Sequence, residues 1–414
     1  MTVTTTVQGV SLVDLADRFG TPFYAYDRRT IEDRIGELTA RFPVVRYAQK
    51  ANPHLAILSL MRHHGLVVDA VSSGEIRRAL RAGYDPSEIM YTADIFDERA
   101  IQLLKEHPVP VNCGSADMIG QIAALRPGAE IALRINPGFG HGHSRKTDTG
   151  GPSSKHGIWH EQLPDCLRQA GKLGLKVTGL HVHIGSGTDF AHLSKVGEVV
   201  AGLDAGPDLE TISAGGGLPI PYREGEERID LDKYYEVLES HRKTVEERQG
   251  RPVKLEIEPG RYLVAEAGWL VARIWAVKKT PSFAFYLVDA GFNHLVRPAM
   301  YGAYHPMSIC PRDGRKMSES QPVVVAGPLC ESGDVFTQEE GGEVVSRSLP
   351  VAEVGDLLVI HCAGAYGRAM ASNYNSHPFP AEVWIEGQEA ELITPRQGLD
   401  EVIGNERVPS GWSG

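Results

Sequence analysis

The sequence predicts an α/β protein composed of a (β/α)8 barrel of the TIM type and a C-terminal antiparallel β domain. Eight short apolar segments rich in β-branched residues alternate with amphipathic helical patterns over about 230 residues, which is the count and length of such a barrel. From about residue 272 the helical patterns nearly stop, and alternating apolar runs replace them. An open doubly wound sheet is the alternative, but it would place a glycine-rich nucleotide loop after its first strand. That position holds Lys50-Ala51-Asn52-Pro53 instead.

The elements of the barrel can be assigned in order along the chain. A helix over residues 12–19 and a strand-like run at 22–26 come first. Period-3.6 patterns predict helices between the strands, for example at 56–64, 73–82 and 98–106. The eight candidate barrel strands are 44–49, 66–70, 90–92, 109–112, 131–135, 176–182, 209–212 and 253–257.

The last third of the chain predicts a separate sheet. Its candidate strands are 274–277, 283–288, 323–325, 357–360 and 381–385. The run at 22–26 lies outside the barrel pattern, so we expect it to complete this second sheet. The resulting domains are an N-terminal segment at 1–28, a barrel at 29–270 and a β domain at 271–414.

Bulk composition narrows the class of function. A net charge of -11 argues against nucleic-acid binding, and 42% hydrophobic with 23% charged residues is typical of a soluble globular protein. Five scattered cysteines without a CxxC pair fit a reducing compartment. No stretch approaches the ~18 apolar residues of a membrane span, and no secretory signal is apparent. A cytoplasmic enzyme is therefore expected.

Lys50 ends the first barrel strand, at the end where barrel enzymes keep their chemistry. A lysine that is partly desolvated can lose its proton and attack an aldehyde to form a Schiff base. Most lysines near strand ends are solvated surface charges, so Lys50 alone decides nothing.

Two glycine-containing turns suit an anion. Gly215-Gly216-Gly217 follows the seventh strand, and Glu258-Pro259-Gly260-Arg261 closes the eighth. Glycine lets backbone N–H groups approach an oxyanion, and the planar fork of Arg261 suits the same ligand. Ordinary tight turns and a surface glutamate are the plainer interpretations. Glu258 also sits where a carboxylate can pair with a protonated ring nitrogen.

The sixth strand ends in His181-Val182-His183-Ile184-Gly185-Ser186-Gly187. Alternation directs His181 and His183 to the same side, so either could stack on an aromatic cofactor while Ser186 binds phosphate. A metal site would need a third ligand with convincing spacing, and none is present, so no metal is expected. Asp69 and Glu75 flank the second strand's end and could orient Lys50, although Ser72 competes for the role of helix cap.

In the C-terminal domain, Cys330 and Glu331 place a thiol beside a carboxylate in a turn, which suits proton donation and ammonium recognition. A buried structural cysteine is the plainer interpretation. An amine, an anion cradle, a ring carboxylate and an acid together are what a pyridoxal phosphate enzyme needs, with the cofactor acting as electron sink.

With these motifs the chain resembles the fold-type III pyridoxal phosphate decarboxylases of the alanine racemase and ornithine decarboxylase superfamily, and within it the branch acting on diaminopimelate. The resemblance runs from about Phe19 to the end of the β domain. The matching segments are 47–51, 136–144, 154–159, 183–186, 213–217, 258–261, 297–302, 330–334 and 364–367.

The resemblance implies pyridoxal 5'-phosphate as cofactor and a role for each matching residue. Lys50 would bind the cofactor covalently, His183 would stack on its ring and Glu258 would pair with the ring nitrogen. The remaining cofactor-binding residues would be Asp69, Ser186, Gly217, Gly260, Arg261 and Tyr366. Cys330 would protonate the carbon that loses CO2.

The implied reaction is decarboxylation of meso-2,6-diaminopimelate to L-lysine and CO2, the last step of lysine biosynthesis. The distal carboxylate would be held by Arg261, Arg297 and Tyr301, with Tyr366 nearby, and the distal ammonium by Glu331. Ornithine or lysine would leave these arginines unpaired, which disfavours them as substrates. Cys330 and Glu331 reach the neighbouring subunit's site in this family, so a homodimer with shared sites is implied.

Two positions depart from the family pattern. His294 stands where an acidic residue is expected, and His377 stands where an arginine is expected. The alternative they leave open is a related decarboxylase acting on another carboxylate-tailed amino acid, such as a carboxylated polyamine or siderophore precursor. A non-catalytic homologue would have lost Lys50 or Cys330, and both are present.

Overall fold

The structure is a computed structural model that describes residues 3–142, 148–186 and 188–412. The motif residues His143, Ser144 and Gly187 lie outside the described residues. The chain forms two compact units. The barrel unit consists of Glu32–Pro221 and Gly225–Leu263, and the β unit of the segment up to Ile31, Tyr222–Glu224 and the chain from Val264 onward.

Strands and helices are numbered along the chain. The strands are β1 (Thr6–Val7), β2 (Val10–Ser11), β3 (Phe23–Asp27), β4 (Val44–Ala48), β5 (Val67–Ala70), β6 (Ile89–Ala93), β7 (Val111–Cys113), β8 (Glu130–Asn136), β9 (Ile158–Trp159), β10 (Lys176–Val182), β11 (Thr211–Ser213), β12 (Lys254–Ile257), β13 (Gly268–Lys279), β14 (Ala284–Val288), β15 (Met307–Cys310), β16 (Ser320–Ala326), β17 (Arg347–Pro350), β18 (Leu357–Ile360), β19 (Ala381–Glu386) and β20 (Glu389–Thr394). The helices are α1 (Leu12–Phe19), α2 (Arg28–Thr39), α3 (Leu55–His63), α4 (Ser73–Arg81), α5 (Glu98–Glu106), α6 (Ala116–Leu125), α7 (Leu163–Lys172), α8 (Phe190–Gly202), α9 (Leu231–Gln249), α10 (Arg261–Val264), α11 (Arg297–Tyr301) and α12 (Leu399–Ile403).

The barrel unit is a closed parallel barrel, as the sequence predicts. Strands β4, β5, β6, β7, β8, β10, β11 and β12 pair in that order, and β12 pairs with β4 to close the ring. The two-residue strand β9 adds to the edge of β8. All eight predicted strands are present, displaced by at most two residues at either end. These strands are largely apolar because a parallel barrel strand is covered on both faces.

Short polar caps start the helices between these strands. Ser72, Asp97, Asp189 and Asp230 each accept a hydrogen bond from a backbone N–H in the first turn of the following helix. Ser72 accepts from the N–H of Glu75 at 3.2 Å, so the cap is the serine. The Glu75 carboxylate accepts instead from the N–H of Val71 at 2.8 Å.

The β unit contains the predicted second sheet, and β3 lies at its centre. β3 pairs with β13 on one side and with β19 on the other, which confirms that the N-terminal strand completes this sheet. The sheet is mixed, which corrects the prediction of purely antiparallel pairing. β3 runs parallel to β19, and β14 runs parallel to β16. Each of these pairs joins strands far apart in sequence, and a long connection permits parallel pairing.

A hydrophobic core holds the β unit together. Helix α1 contributes Leu12 and Leu15, which pack with β3, β13, β18 and β19 side chains such as Phe23, Val271 and Val383. Ser11 caps this helix by accepting from the N–H of Asp14. The domain limits at 28 and 270 remain predictions.

Within the described part of the chain, no helix combines the length and the apolarity needed to cross a membrane.

Candidate active site

Polar side chains gather at the carboxyl ends of the barrel strands, although these strands are otherwise apolar. Burial of such groups requires partners or a ligand. The buried members on or directly after barrel strands are Arg46, Gln49, Asp69, Thr92, Asn112, Arg134, Asn136, His181, Ser213, Glu258 and Arg261. The position matches the end of a TIM barrel that carries active sites.

Glu258 is the best-defined member of this group. It directly follows β12 and is only 8% exposed. Its carboxylate lies 3.0 Å from the Nε2 of His181 and accepts a hydrogen bond from the Ser213 hydroxyl at 3.0 Å. Burial alone would raise the pKa of Glu258, but His181, then Arg46 and His183, hold that pKa well below its usual range. Glu258 is therefore a buried carboxylate that stays ionised.

His181, Ser213 and Glu258 come from three neighbouring strands. β10 pairs with β11 so that His181 lies opposite Ser213, and β11 pairs with β12 so that Ser213 lies opposite Glu256. Glu258 is two residues beyond that register. Sequence alternation named His181 only as a possible ring-stacking residue. Its contact with Glu258 needed the strand register and was not predicted.

Lys50 lies in a 3-10 turn, Gln49–Ala51, directly after β4, and its side chain is exposed. Burial raises the pKa of Asp69, as does the charge of Glu258, while the positive charge of Lys50 acts in the opposite direction. The Oδ1 of Asp69 has no hydrogen-bond partner among the described residues. The strand end thus presents an amine and a buried carboxyl group to the same space.

A cavity of about 740 Å³ opens beside this amine. Its lining includes Lys50, Tyr91, Ser115, Arg134 and His156. Arg134, on β8, is 7% exposed, and burial lowers its pKa although Asp94 and Glu258 oppose that effect. Sequence reasoning missed Arg134; a charged residue inside an apolar strand was the available signal.

His183 follows β10 and is partly buried. Its Nδ1 accepts a hydrogen bond from the N–H of Gly216 at 3.3 Å. Burial, followed by the charge of Lys50, lowers the pKa of His183 well below its ordinary value. The ring is therefore neutral and flat, which suits stacking on an aromatic ligand.

The two turns that the sequence predicts to bind an anion lie close to one another, since a Cβ on Gly216 would lie 2.4 Å from the carbonyl oxygen of Glu258. Arg261 Nη2 donates to the Ser186 hydroxyl at 2.8 Å. A Cβ on Gly217, whose φ is +103°, would lie 2.8 Å from the carbonyl oxygen of Gly185. A Cβ on Gly260 would lie 3.0 Å from the carbonyl oxygen of Ala48. Glycine is therefore required for these backbone segments to approach each other.

This donor set fits pyridoxal phosphate. A guanidinium, a hydroxyl and glycine-rich turns suit the phosphate, and Lys50 supplies a primary amine for the aldehyde. A carboxylate has about four lone-pair sites, so Glu258 can hold His181 and Ser213 and still accept an N–H from a ring.

The substrate residues predicted in the β unit are arranged differently. Arg297 and Tyr301 occupy the short helix α11, and Arg297 is 2% exposed. Its Nη1 donates to His305 Nε2 at 2.7 Å and to the Tyr222 hydroxyl at 3.2 Å. Tyr366 is partly buried and has a φ of +57°, a conformation rare for a side-chain-bearing residue.

Cys330 and Glu331 are exposed in the turn after β16. The N–H of Cys330 donates to the Oδ1 of Asn375 at 2.9 Å. Asp334 accepts from the N–H groups of Leu329 at 2.8 Å and Phe292 at 2.7 Å, which fixes the turn. The backbone of Cys330 is thus fixed by hydrogen bonds, while its thiol stays accessible.

The two departures from the family pattern lie together. The rings of His294 and His377 are 6.5 Å apart in an edge-on arrangement. His294 is 1% exposed, and its Nε2 donates to the carbonyl oxygen of Pro378 at 3.1 Å. This places His294 in the interior of the β unit.

Among the described residues, His141, Asp189 and His192 are grouped closely enough to hold a metal. Their ligand atoms lie within 4.8 Å of one another. The two imidazole rings are stacked, with centroids 3.8 Å apart and planes 10° apart. An ion cannot lie in the planes of two stacked rings, as imidazole coordination requires. Both rings instead contact the Asp189 carboxylate, His141 Nε2 at 3.3 Å and His192 Nδ1 at 2.9 Å.

Comparison with known proteins agrees with this site. Residues 28–265 match the family model described as the pyridoxal binding domain of pyridoxal-dependent decarboxylases. The fold, the strand-end amine and this match define the class of the protein as a pyridoxal-phosphate-dependent decarboxylase built on a barrel.

Individual relatives narrow the family. The diaminopimelate decarboxylase of Escherichia coli is 50% identical over 401 residues, covering 95% of each chain. A crystal structure of diaminopimelate decarboxylase matches with a TM-score of 0.92 and 49% identity, over 95% of each chain. The Helicobacter pylori diaminopimelate decarboxylase complexed with L-lysine matches with a TM-score of 0.83 and 33% identity, over 94% of this chain and 98% of that one. The chain belongs to the diaminopimelate decarboxylase family.

Proposed function

We propose that this protein decarboxylates meso-2,6-diaminopimelate to L-lysine and CO2, the last step of lysine biosynthesis. The observation that carries the proposal is the buried, ionised Glu258, held by His181 and Ser213 at the barrel end that also presents Lys50. The relatives named diaminopimelate decarboxylase support the choice of substrate.

In the barrel unit, Lys50 would bind the cofactor covalently, the neutral ring of His183 would pack against the cofactor ring, and Glu258 would accept the N–H of the ring nitrogen. Asp69 would orient Lys50, whose charge it senses together with that of His181. Phosphate binding is assigned to Ser186, Gly217, Gly260, Arg261 and Tyr366. The contact between Arg261 and Ser186 supports this assignment, because it pre-orients two donors for one anion.

Bound pyridoxal phosphate supplies an electron-accepting ring that makes loss of CO2 feasible. Glu258 favours that chemistry because its negative charge holds a proton at the ring nitrogen. The Cys330 thiol then donates a proton to the carbon that has lost CO2. Exposure of the thiol in a fixed turn supports this role.

Substrate selectivity rests on charge pairing. Arg261, Arg297 and Tyr301, with Tyr366, bind the distal carboxylate, and Glu331 binds the distal ammonium. A substrate without that carboxylate would leave the buried Arg297 without its ligand, at a cost in affinity.

We further propose a homodimer in which Cys330 and Glu331 serve the partner's site, and a cytoplasmic location. The exposure of both side chains in the single chain supports the shared site.

The test is CO2 release by the cofactor-loaded protein with meso-diaminopimelate, compared with lysine, ornithine and carboxynorspermidine. Turnover of diaminopimelate alone, with lysine as product, is expected. Lys50→Ala is expected to lower kcat by about 10⁴-fold or more, because it removes the amine that binds the cofactor. Preferred turnover of carboxynorspermidine, or a Lys50→Ala variant with full activity, would contradict the proposal.

A further inference from the structure

Two histidines of the β unit, the buried His305 and the partly buried His361, form a row that ends at Arg297. His305 is fully buried, and its two ring nitrogens have different neighbours. Nε2 lies 2.7 Å from Arg297 Nη1, and Nδ1 lies 2.9 Å from the backbone carbonyl oxygen of His361. The Tyr222 ring meets the His305 ring edge-on, with centroids 5.6 Å apart.

The protonation of His305 follows from these neighbours. A guanidinium can only donate, so Nε2 of His305 must be the acceptor. A carbonyl can only accept, so Nδ1 must carry the hydrogen. His305 is therefore a neutral imidazole in one defined tautomer, and its two hydrogen bonds fix the plane of the ring.

His361 is fixed in the same way. The indole N–H of Trp269 donates to His361 Nδ1 at 3.2 Å, which leaves the hydrogen on Nε2. Nε2 then donates to the Ser308 hydroxyl at 2.7 Å, and Ser308 donates to the Thr4 hydroxyl at 2.8 Å. The carbonyl oxygen that orients His305 thus belongs to a residue anchored through its own side chain.

Arg297 lies at one end of this row of hydrogen-bonded groups. One Nη1 hydrogen goes to His305 and the other to the Tyr222 hydroxyl. These two contacts set the rotation of the guanidinium plane. The plane matters because a bidentate carboxylate must approach in it.

We propose that His305 is a positioning residue that holds Arg297 in the orientation needed for the distal carboxylate of the substrate. The inference rests on the proposed function, which assigns that carboxylate to Arg297. His305 acts through Arg297, to which its Nε2 is hydrogen-bonded, so the contribution we propose is to selective binding and not to the chemical step.

The test uses His305→Leu, which removes both hydrogen bonds, and His305→Gln, whose amide oxygen can still accept from Arg297. We expect KM for meso-diaminopimelate to rise about tenfold in His305→Leu, with kcat within about threefold of wild type, because binding geometry is lost while the chemistry is intact. His305→Gln is expected to recover most of that loss.

Two inhibitors separate positioning from general damage. L-lysine retains the distal carboxylate, whereas 1,5-diaminopentane has no carboxylate. The Ki of L-lysine is expected to rise about tenfold in His305→Leu, and that of the diamine to stay unchanged. His294→Gln is the matched control, since it alters another buried histidine of the β unit, whose ring contacts within the described part of the chain are to Pro378 and His377.

Equal loss of affinity for both inhibitors, or a fall in kcat at constant KM, would overturn the inference. Absence of diaminopimelate turnover by the wild type would instead overturn the proposed function. If His305→Leu does not fold, Tyr222→Phe takes its place, because it removes the hydroxyl that accepts the second Nη1 hydrogen. It should then raise the Ki of L-lysine about threefold without affecting the diamine, and an unchanged Ki would count against the inference.

Discussion

The strand ends of the barrel unit and the turn of the β unit that carries Cys330 hold their functional side chains by different means. At the barrel's strand ends, side chains hold side chains: His181 and Ser213 contact Glu258, and Arg261 contacts Ser186. In the turn of the β unit that carries Cys330, side-chain oxygens instead accept hydrogen bonds from backbone N–H groups. The N–H of Cys330 is bound by Asn375, and Asp334 binds two further N–H groups of the turn.

The difference has consequences for stability. A strand end is set by the ladder of the barrel, so a side chain placed there can change without altering the backbone. A turn set by a carboxylate on backbone N–H groups depends on that carboxylate for its shape. Barrel-site variants should therefore affect chemistry more than folding, and turn variants should affect both.

Among the variants that compare these two regions, the largest effect is expected for Glu258→Gln. Glutamine preserves the shape and one acceptor oxygen but removes the charge that favours a protonated ring nitrogen. We expect kcat to fall about 10²–10³-fold, the usual consequence of losing one preorganised electrostatic contact. The thermal midpoint should change little, because an uncharged amide is easier to bury than a carboxylate. Steady-state rates at saturating cofactor, together with calorimetry, would measure both.

Glu256 on the same strand provides the matched control. Its carboxylate pairs with Arg46 through two contacts of 3.2 Å and takes no part in the proposed chemistry. Glu256→Gln should lower the free energy of unfolding by about 1–3 kcal/mol while kcat remains near wild type. Similar losses of kcat in both variants would show that charge at this strand end acts only through general electrostatics.

The fold was largely predictable because the periodicity of apolar residues reports local structure. All eight barrel strands were predicted, and so was helix α1 with its observed limits. β15, β17 and β20 were missed, since four to six residues with mixed polarity give no period. The parallel pairing of β3 with β19 was also missed, because a pairing across more than 350 residues leaves no local trace.

Next in size is the effect of Asp334→Ala in the turn that carries Cys330. Removal of the carboxylate leaves the N–H groups of Leu329 and Phe292 without their acceptor. We expect a loss of about 3 kcal/mol in the free energy of unfolding and about a tenfold fall in kcat, because the thiol is no longer fixed. Denaturant unfolding and rate measurements on the same preparation would test this.

Glu331→Gln is the contrasting variant in that turn, since its side chain is exposed and does not hold the turn. It should leave stability unchanged and raise KM alone. An Asp334→Ala variant as stable as wild type would contradict the expectation that substitutions in this turn affect folding more than substitutions at the barrel strand ends.

For the site, the sequence predicted which residues lie at the strand ends better than it predicted which side chains contact each other. Lys50, His183 and Glu258 were located from strand ends and motif resemblance, but the contact of His181 with Glu258 depends on the register of three strands. Arg134 was missed although it is a charged residue inside an apolar strand, and His305 was missed because nothing in the local sequence marks it. Their roles depend on neighbours that only the folded chain brings close.

The smallest effect is expected for His294→Gln. This variant tests whether the histidine at position 294 affects stability or substrate binding. Burial lowers the pKa of His294 to about 4, so the folded state favours the neutral ring. Its contribution is complete above the ordinary pKa of 6.5 and is lost as the pH falls toward 4. The free energy of unfolding of the wild type should therefore fall by about 2 kcal/mol between pH 8 and pH 5 because of this group.

The glutamine of His294→Gln can still donate to Pro378, and this variant should lose less stability over that range, with KM for meso-diaminopimelate unchanged. A changed KM would instead assign His294 to the substrate site, and identical pH profiles would show that another group governs acid stability.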